Sequence, residues 1–237
     1  MLFRPMVKKI VFAGFLVFSF SSVFAITNAH AQTATSPQFL VSWKTTGSYV
    51  PSFYTGKALP SYGSKITASF ELVSNGKVLN LQDQTIYWYL DQILVGGGAG
   101  AQQVIFSPLG TPPDSLSLQI VLPSYNGVYL THTVQIPFVT PEAVIYAPYP
   151  NKAFSTNPLS IKALPFFFNA TSSSNLNFTW SVNGQAGSTN ENPQEADIVL
   201  PKGLSSGSTL DITLNAENPF GSVAASDEKI LTYQNSL

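Results

Sequence analysis

Residues 176–185 alternate strictly between apolar and polar side chains. The apolar positions are Leu176, Phe178, Trp180 and Val182, and the polar positions are Asn177, Thr179, Ser181 and Asn183. A period of two residues is the pattern of a β-strand with one buried face, and Asn183-Gly184 at its end is a hairpin turn signal. This stretch therefore predicts β-structure in which Trp180 points into a core.

A second tryptophan strand repeats the pattern earlier in the chain. Over residues 85–92, Ile86, Trp88 and Leu90 alternate with Thr85, Tyr87 and Tyr89, and Trp88 lies 92 positions before Trp180. Val104 and Phe106 lie 92 positions before Ala196 and Ile198, and Leu118, Ile120 and Leu122 lie 92 before Leu210, Ile212 and Leu214. Ile66, Ala68 and Phe70 lie 93 positions before Leu159, Ile161 and Ala163. Because several strands share one spacing, we expect an all-β chain of two tandem antiparallel β-sandwich domains.

The N-terminus has the features of an export signal. Arg4, Lys8 and Lys9 precede an apolar run over residues 10–25, and Ala29-His30-Ala31 offers a small-x-small cleavage site. A second candidate site is Val23-Phe24-Ala25, and an uncleaved anchor is the alternative to cleavage. The apolar run is shorter than the roughly 20 residues that a membrane span needs. We therefore predict a signal peptide over residues 1–31 and export to the extracellular space, cell surface or periplasm.

Composition excludes several classes of function. Beyond residue 31 the chain has eight basic residues against twelve acidic ones and no arginine, which argues against a nucleic-acid partner. It has no cysteine, so disulfides and thiol chemistry are excluded. Apolar residues make up 44% of the chain, so each domain can hold together by apolar burial alone.

Proline and glycine residues indicate a linker and two loops. Two prolines at residues 137–141 imply a stiff linker, so we expect one domain over residues 32–140 and another over residues 141–237. Residues 49–64 are rich in Pro, Gly and aromatic residues and predict a long loop or kinked edge. The glycine run at residues 96–100 predicts a flexible hairpin loop, since a strand and no helix follows it.

Taken together, these features resemble tandem bacterial immunoglobulin-like modules, which have about seven short strands and a tryptophan on the third. The phrase at residues 179–184 is also similar to the tryptophan strand of polycystic-kidney-disease-type repeats. The resemblance implies that the tryptophan rings pack between two sheets. It also implies that Phe70 with Ile120, and Ala163 with Ile212, fill the slots of the absent disulfides. The predicted structural core includes Trp88, Trp180, Phe70, Ile120, Phe178 and Ile212.

No residue pattern indicates catalysis. His132 lies in an alternating strand, without an accompanying Gly-x-Ser-x-Gly, so we expect a structural or surface role. Glu195 and Asp197 share a strand face and should be solvated. A calcium site there is the alternative, although the spacing of a calcium loop is missing. Lys65 and Lys162 sit at outward positions, which disfavours an intramolecular isopeptide bond. The sequence therefore predicts no enzyme, no cofactor and no metal site.

One strand face departs from the repeat. Tyr87 and Tyr89 stand where the second module has Thr179 and Ser181, and immunoglobulin-like pairing would place Gln119 and Thr133 beside them. Tyrosine among small polar residues forms an amphipathic contact surface. The alternatives are cross-strand tyrosine packing and docking of the loop at residues 49–64 over this face. The candidate ligand or partner surface comprises Tyr87, Tyr89, Tyr49, Phe53, Tyr54 and Tyr62.

These observations favour an exported, non-enzymatic cell-surface protein with a structural, spacer or adhesion role. The partner would be a surface protein or a glycan, and the sequence does not say which. The alternative is a glycan-binding accessory module that uses the exposed aromatic residues for stacking. A membrane would be contacted only through an uncleaved signal segment. The fold alone does not choose between these roles, because such sandwiches host many functions.

Overall fold

Alternating side chains build strands throughout the part of the chain that can be described. The computed structural model describes residues 36–108, 114–187, 191–220 and 223–235, so the predicted signal peptide lies outside the described residues. The described residues form β-strands and two short 3₁₀ turns, with no α-helix among them. The prediction of an all-β chain is confirmed.

Two sheets form the first sandwich. Its strands are β1 (Gln38–Thr46), β2 (Lys65–Ser74), β3 (Lys77–Val78), β4 (Thr85–Leu90), β5 (Ile93–Ala99), β6 (Gln103–Phe106), β7 (Ser115–Tyr125) and β8 (Val128–Pro137). In one sheet, β2 pairs with β1 on one edge and with β3 and β6 on the other. The other sheet has the order β5-β4-β7-β8. All of these pairings are antiparallel, as in an immunoglobulin-like sandwich.

Two further sheets form the second sandwich. Its strands are β9 (Glu142–Tyr146), β10 (Ala153–Phe154), β11 (Leu159–Phe166), β12 (Asn177–Val182), β13 (Gln185–Ala186), β14 (Glu195–Ile198), β15 (Thr209–Asn218) and β16 (Val223–Tyr233). One sheet has the order β14-β11-β9 and the other the order β10-β16-β15-β12-β13. The short strand β10 pairs with β16 in parallel, and the remaining pairings are antiparallel.

Each sandwich encloses its own cluster of buried apolar side chains. One cluster draws on residues 66–136 and the other on residues 143–231. All six predicted core residues, Trp88, Trp180, Phe70, Ile120, Phe178 and Ile212, are buried in these clusters. The Phe70 and Trp88 rings meet edge to face, with their centroids 5.5 Å apart. The division at residues 137–141 lies between the clusters, and the domain limits themselves stay a prediction.

The two indole groups are satisfied in the same way. Nε1 of Trp88 donates a hydrogen bond to the carbonyl of Ala101 (2.7 Å), and Nε1 of Trp180 donates to the carbonyl of Pro193 (3.1 Å). Each acceptor lies 13 residues after its tryptophan. A buried N–H without a partner would cost about 1–3 kcal/mol, so this bond holds the returning chain against the ring.

A glutamine follows the acceptor carbonyl in both sandwiches. The amide of Phe70 donates to the carbonyl of Gln102 (3.0 Å), and Nε2 of Gln102 donates to the carbonyl of Phe70 (3.3 Å). Ala163 and Gln194 exchange the same two bonds, at 2.8 and 2.9 Å. The sequence repeat therefore extends to hydrogen bonds that its apolar periodicity does not reveal.

Three Asn-Gly pairs form hairpin turns, and the turn predicted at Asn183-Gly184 is among them. Both residues of Asn75-Gly76, Asn126-Gly127 and Asn183-Gly184 have positive φ, the geometry of a type I′ turn. Asp91-Gln92 makes the same turn without glycine, with φ values of 46° and 72°. Each of the four turns joins two antiparallel strands.

The predicted register of one repeated strand is wrong by two residues. Trp88 lies opposite Ile120 on β7, but Trp180 lies opposite Leu214 on β15, and Ile212 lies opposite Val182. A shift of two residues leaves an alternating pattern unchanged, so periodicity cannot detect it. The position that corresponds to Ile120 in the second sandwich is therefore Leu214, although Ile212 is also buried.

The predicted hairpin loop at residues 96–100 is also wrong. Its first residues belong to β5, where Gly96 lies opposite Trp88 and Gly97 opposite Tyr87. A Cβ atom at Gly97 would lie 2.7 Å from the carbonyl oxygen of Ile86 and 2.8 Å from Cδ1 of Tyr87. Glycine is required here by close approach of the neighbouring strand, which is a tertiary constraint and not a sign of flexibility.

We expect Trp180→Ala to lower the free energy of unfolding by about 3–5 kcal/mol, because a large ring leaves the core. Thr179→Ala, at the exposed neighbouring position, is the matched control and should change it by less than about 0.5 kcal/mol. Denaturant unfolding of both variants tests this. A loss below about 1 kcal/mol for Trp180→Ala would contradict the inward orientation.

Gly97→Ala should destabilise the first sandwich by about 1–3 kcal/mol, the usual cost of overpacking. Gly187→Ala is a matched control, because a Cβ atom there would lie 3.5 Å from the nearest atom of Trp180, an ordinary contact. Thermal melts of both variants measure the difference. Equal melting temperatures would show that β4 and β5 are not in the close contact described.

Candidate functional site

The six predicted surface aromatic residues lie in two separate places. Tyr87 and Tyr89 project from the outer face of the β5-β4-β7-β8 sheet. Tyr49, Phe53 and Tyr54 belong to the loop between β1 and β2, where they meet residues that follow β11. Tyr62 lies in the same loop and is half exposed. The structure therefore presents two surfaces with different surroundings.

The outer face of the β5-β4-β7-β8 sheet has the neighbours that the sequence predicts. Tyr89 lies opposite Gln119 on β7, and Gln119 lies opposite Thr133 on β8. Tyr87 lies opposite Val121, which points outward but is only 5% exposed, because neighbouring side chains cover it. Exposed apolar surface beside the two tyrosines comes from Leu94, which lies opposite Tyr89 on β5 and is 55% exposed.

Gly97 gives the Tyr87 ring its position. Cδ1 of Tyr87 lies so close to Gly97 that any side chain at residue 97 would occupy the space of the ring. The ring therefore leans across β5, and both Tyr87 and Tyr89 remain partly exposed. The two ring centroids are 6.5 Å apart and the planes are inclined by 55°, so the pair forms an angled trough.

The polar character of this face comes from neutral groups. The outward residues beside the trough are Leu94, Gln119, Val121, Thr131 and Thr133, and none of them is charged. Neither tyrosine hydroxyl has a hydrogen-bond partner among the described residues. The carboxylate of Asp91, at the end of β4, accepts a hydrogen bond from the amide of Ser117 (3.0 Å).

The second surface is a junction between the two sandwiches. The amide of Tyr49 donates to the carbonyl of Phe168 (2.8 Å), and the amide of Phe167 donates to the carbonyl of Tyr49 (2.6 Å). These bonds form a short antiparallel bridge. Phe167 has a φ of 60°, which costs a bulky residue about 1–3 kcal/mol and aims its amide at the loop.

Close packing of small residues surrounds this bridge. The Asn169 side chain lies against Gly47, where a Cβ atom would be 3.2 Å from Oδ1, and it would collide with any Cβ atom at Gly63. Both glycines have positive φ, at 76° and 80°. The amide of Val139, in the predicted linker, donates to the carbonyl of Pro60 in the loop (3.0 Å). Loop, linker and second sandwich are thus tied together by main-chain bonds.

Aromatic rings cover the junction. The Tyr54 ring lies 6.0 Å from Phe166 and 5.7 Å from Phe167, edge to face in both cases. Phe53 meets Phe166 at 6.5 Å and stays 61% exposed. The expectation that this loop could dock over Tyr87 and Tyr89 is wrong, since its ring contacts are with Phe166 and Phe167. Phe166 and Phe167 are only partly buried, so their rings are available to the loop.

A cation holds the same loop to its own sandwich. Nζ of Lys57 lies 3.1 Å from the centroid of the Trp43 ring on β1. Partial burial lowers the pKa of Lys57 below its ordinary value. A cation over an aromatic face is attractive and opposes that shift, so the contact anchors the middle of the loop at β1.

The titratable residues that the sequence singled out have structural partners. Nζ of Lys162 forms an ion pair with Glu195 (3.1 Å), and the Ser160 hydroxyl donates to Asp197 (2.6 Å). His132 stacks on Phe39 at 5.2 Å, with the planes inclined by 9°, and closes the first core on that side. Within the described ranges, no group of three or more His, Cys, Asp or Glu side chains could hold a metal ion.

Sequence reasoning missed the role of Phe166–Asn169 as the receiving side of the junction. The signal was present as three consecutive phenylalanines at the end of a strand, where an alternating pattern would place a polar residue. Phe168 is buried in the second core, whereas Phe166 and Phe167 are only partly buried.

Among the described residues, no helix is long and apolar enough to span a membrane.

No family model matches the chain, and no curated protein matches it. Among solved structures it is similar to the fibronectin(III)-like modules of Clostridium thermocellum CbhA, with 16% identity over 81% of this chain and 94% of that chain and a TM-score of 0.28. It is also similar to Bacteroides ovatus SGBP-B of the mixed-linkage glucan utilization locus, in complex with a mixed-linkage heptasaccharide (13% identity, 82% and 48% coverage, TM-score 0.25).

A third similar structure contains extracellular cadherin domains 3–6 of protocadherin gamma B2 (11% identity, 84% and 47% coverage, TM-score 0.29). The chain spans about half the length of the second and third of these structures. With such low identities and TM-scores, these likenesses carry no conclusion about function.

Proposed function

We propose that this chain is an exported, non-enzymatic cell-surface protein that holds two immunoglobulin-like sandwiches in a fixed arrangement, as a spacer or adhesion element. The junction between the sandwiches is the observation that carries the proposal. A flexible pair of modules would need only a short linker. Here a loop of 18 residues leaves the first sandwich between β1 and β2 and engages the second.

Several independent interactions support a stiff junction. The bridge between Tyr49 and Phe168 and the bond from Val139 to Pro60 act on the main chain. The contacts of Tyr54 with Phe166 and Phe167 remove aromatic surface from water. Because main-chain and ring contacts resist different motions, together they oppose both bending and twisting of one sandwich against the other.

The non-enzymatic part of the proposal rests on the chemistry of the side chains. The carboxylates of Glu195 and Asp197 are engaged by Lys162 and Ser160 on the strand alongside. His132 is stacked on Phe39, between the sheets of the first sandwich. A spacer would use such residues only to stabilise the sandwiches, and these contacts support that role.

A glycan-binding accessory module is the second candidate function. The angled pair of Tyr87 and Tyr89, seated against Gly97, is the specific observation that favours it. The two candidates are compatible, because the tyrosine trough and the junction occupy different parts of the first sandwich.

We expect the double substitution Tyr54→Ala/Phe166→Ala to free the two sandwiches from each other. Aromatic pairs contribute about 0.5–1.5 kcal/mol each, so removing these rings should weaken the junction by about 1–3 kcal/mol. Backbone ¹⁵N relaxation should then report shorter rotational correlation times for both sandwiches, and small-angle scattering a larger maximum dimension. Tyr129→Ala/Tyr146→Ala removes two exposed tyrosines elsewhere and should leave both measurements unchanged. Unchanged tumbling in the junction variant would refute a ring-stabilised junction.

Purified protein should show no hydrolysis of polysaccharide, peptide or ester substrates above the background of the buffer. The matched comparison uses Glu195→Gln and Asp197→Asn, the two carboxylates that a glycosidase reading would require. Robust hydrolysis that either substitution abolishes would overturn the non-enzymatic assignment, while leaving the stiff junction to be judged by the relaxation experiment.

A further inference from the structure

We propose that the trough formed by Tyr87 and Tyr89 on the outer face of the β5-β4-β7-β8 sheet binds an uncharged carbohydrate chain. This inference deepens the second candidate function, because it assigns the ligand class and the residues that bind it. It does not depend on a stiff junction. The argument rests on three properties of the face: the position of the rings, its neutrality and its unpaired polar groups.

The rings occupy positions that suit stacking. Gly97 leaves room for the Tyr87 ring beside β5, since a Cβ atom at residue 97 would lie 2.8 Å from its Cδ1, and the Tyr87 side chain remains partly exposed. A pyranose ring has an apolar face of C–H groups and a rim of hydroxyls, and it covers an aromatic face of this size. The inclination of 55° lets a sugar that stacks on one tyrosine touch the other with its edge.

Neutrality selects among ligands. The outward side chains beside the trough are leucine, glutamine, threonine and valine, and none of them carries a charge near neutral pH. A nucleic acid or an anionic polysaccharide would require cations to offset its charge. Asp91 at the end of β4 would repel such polyanions further. A neutral glycan needs no cations and is not repelled by Asp91.

The polar groups match a carbohydrate better than a protein core. The hydroxyls of Tyr87 and Tyr89 have no partner among the described residues, Gln119 lies opposite Tyr89, and Thr133 lies beyond Gln119 on the next strand. Small-ligand sites typically combine apolar surface with a few precisely placed polar groups. Leu94, which lies opposite Tyr89 and is 55% exposed, supplies accessible apolar surface. An apolar protein partner would leave these polar groups unpaired on burial, at a cost of affinity.

The second sandwich provides an internal comparison. Its tryptophan strand has Thr179 and Ser181 at the positions of Tyr87 and Tyr89. Both strands bury the same tryptophan and keep its hydrogen bond. The tyrosines are therefore not needed for the fold, since the equivalent strand manages without them. Their presence in one sandwich only indicates a role that the other does not share.

The test is affinity electrophoresis of the full chain through gels that contain one soluble polysaccharide each: a β-glucan, a xylan, a galactomannan, or the anionic polygalacturonate. We expect retardation by at least one neutral polysaccharide and none by polygalacturonate. Tyr87→Ala and Tyr89→Ala should each weaken binding about tenfold or more. Tyr87→Phe should lose less than Tyr87→Ala, because it keeps the stacking ring and loses only the hydroxyl. Thr179→Ala and Ser181→Ala are the matched controls and should bind as the parent chain does.

Thermal melts of each variant verify the fold, and Gln119→Ala replaces any tyrosine variant that fails to fold, with the same expectation of weaker binding. Absence of retardation by all three neutral polysaccharides would overturn the proposal. So would binding that persists in the Tyr87→Ala/Tyr89→Ala double variant, or a second copy of the chain that covers this face in solution. Tyr54→Ala/Phe166→Ala should not alter retardation, so a failed junction and a failed carbohydrate site are distinguishable.

Discussion

Each sandwich is organised around one buried indole whose N–H must find an acceptor. Trp88 reaches the carbonyl of Ala101, and Trp180 reaches that of Pro193. To supply this acceptor, the chain that leaves the tryptophan strand must turn back across the ring within 13 residues. The following glutamine then joins the returning segment to the facing sheet, through Gln102 in one sandwich and Gln194 in the other. The indole hydrogen bond thereby links the two sheets of each sandwich.

Periodicity predicted the strands well because burial of one sheet face imposes it directly. The two tryptophan strands and the burial of Trp88 and Trp180 follow from it. The same property limits it: a slip of one residue would turn every side chain over, but a slip of two is invisible. Leu214 thus took the place that the repeat assigned to Ile212, opposite Trp180. Register across β15 depends on the length of the connection, which apolar spacing does not report.

Glycine and aromatic runs were harder to interpret, because their structural role depends on contacts with residues that are distant in the sequence. Gly97 reads as a flexible residue until the Tyr87 ring is placed beside it. The loop at residues 49–64 looks irregular by its own composition, yet Phe167 and Phe168 give it partners for the main chain of Tyr49. Phe166 and Phe167 serve Tyr54 in the same way. Local sequence indicates which backbone conformations a residue can adopt. Only the structure shows which neighbouring residue requires that conformation.

The two sandwiches have corresponding buried residues and differ at outward positions, which the cores do not constrain. Their tryptophans, acceptor carbonyls and glutamines correspond, so burial and hydrogen bonding constrain those positions in both copies. Outward positions on the tryptophan strand escape this constraint, and there Tyr87 and Tyr89 stand against Thr179 and Ser181. Substitution of small polar residues by two large rings exposes apolar surface to water, with no gain to the core. A ligand that covered those rings would offset that cost, so the difference between the copies supports the proposed binding surface more than their similarity does.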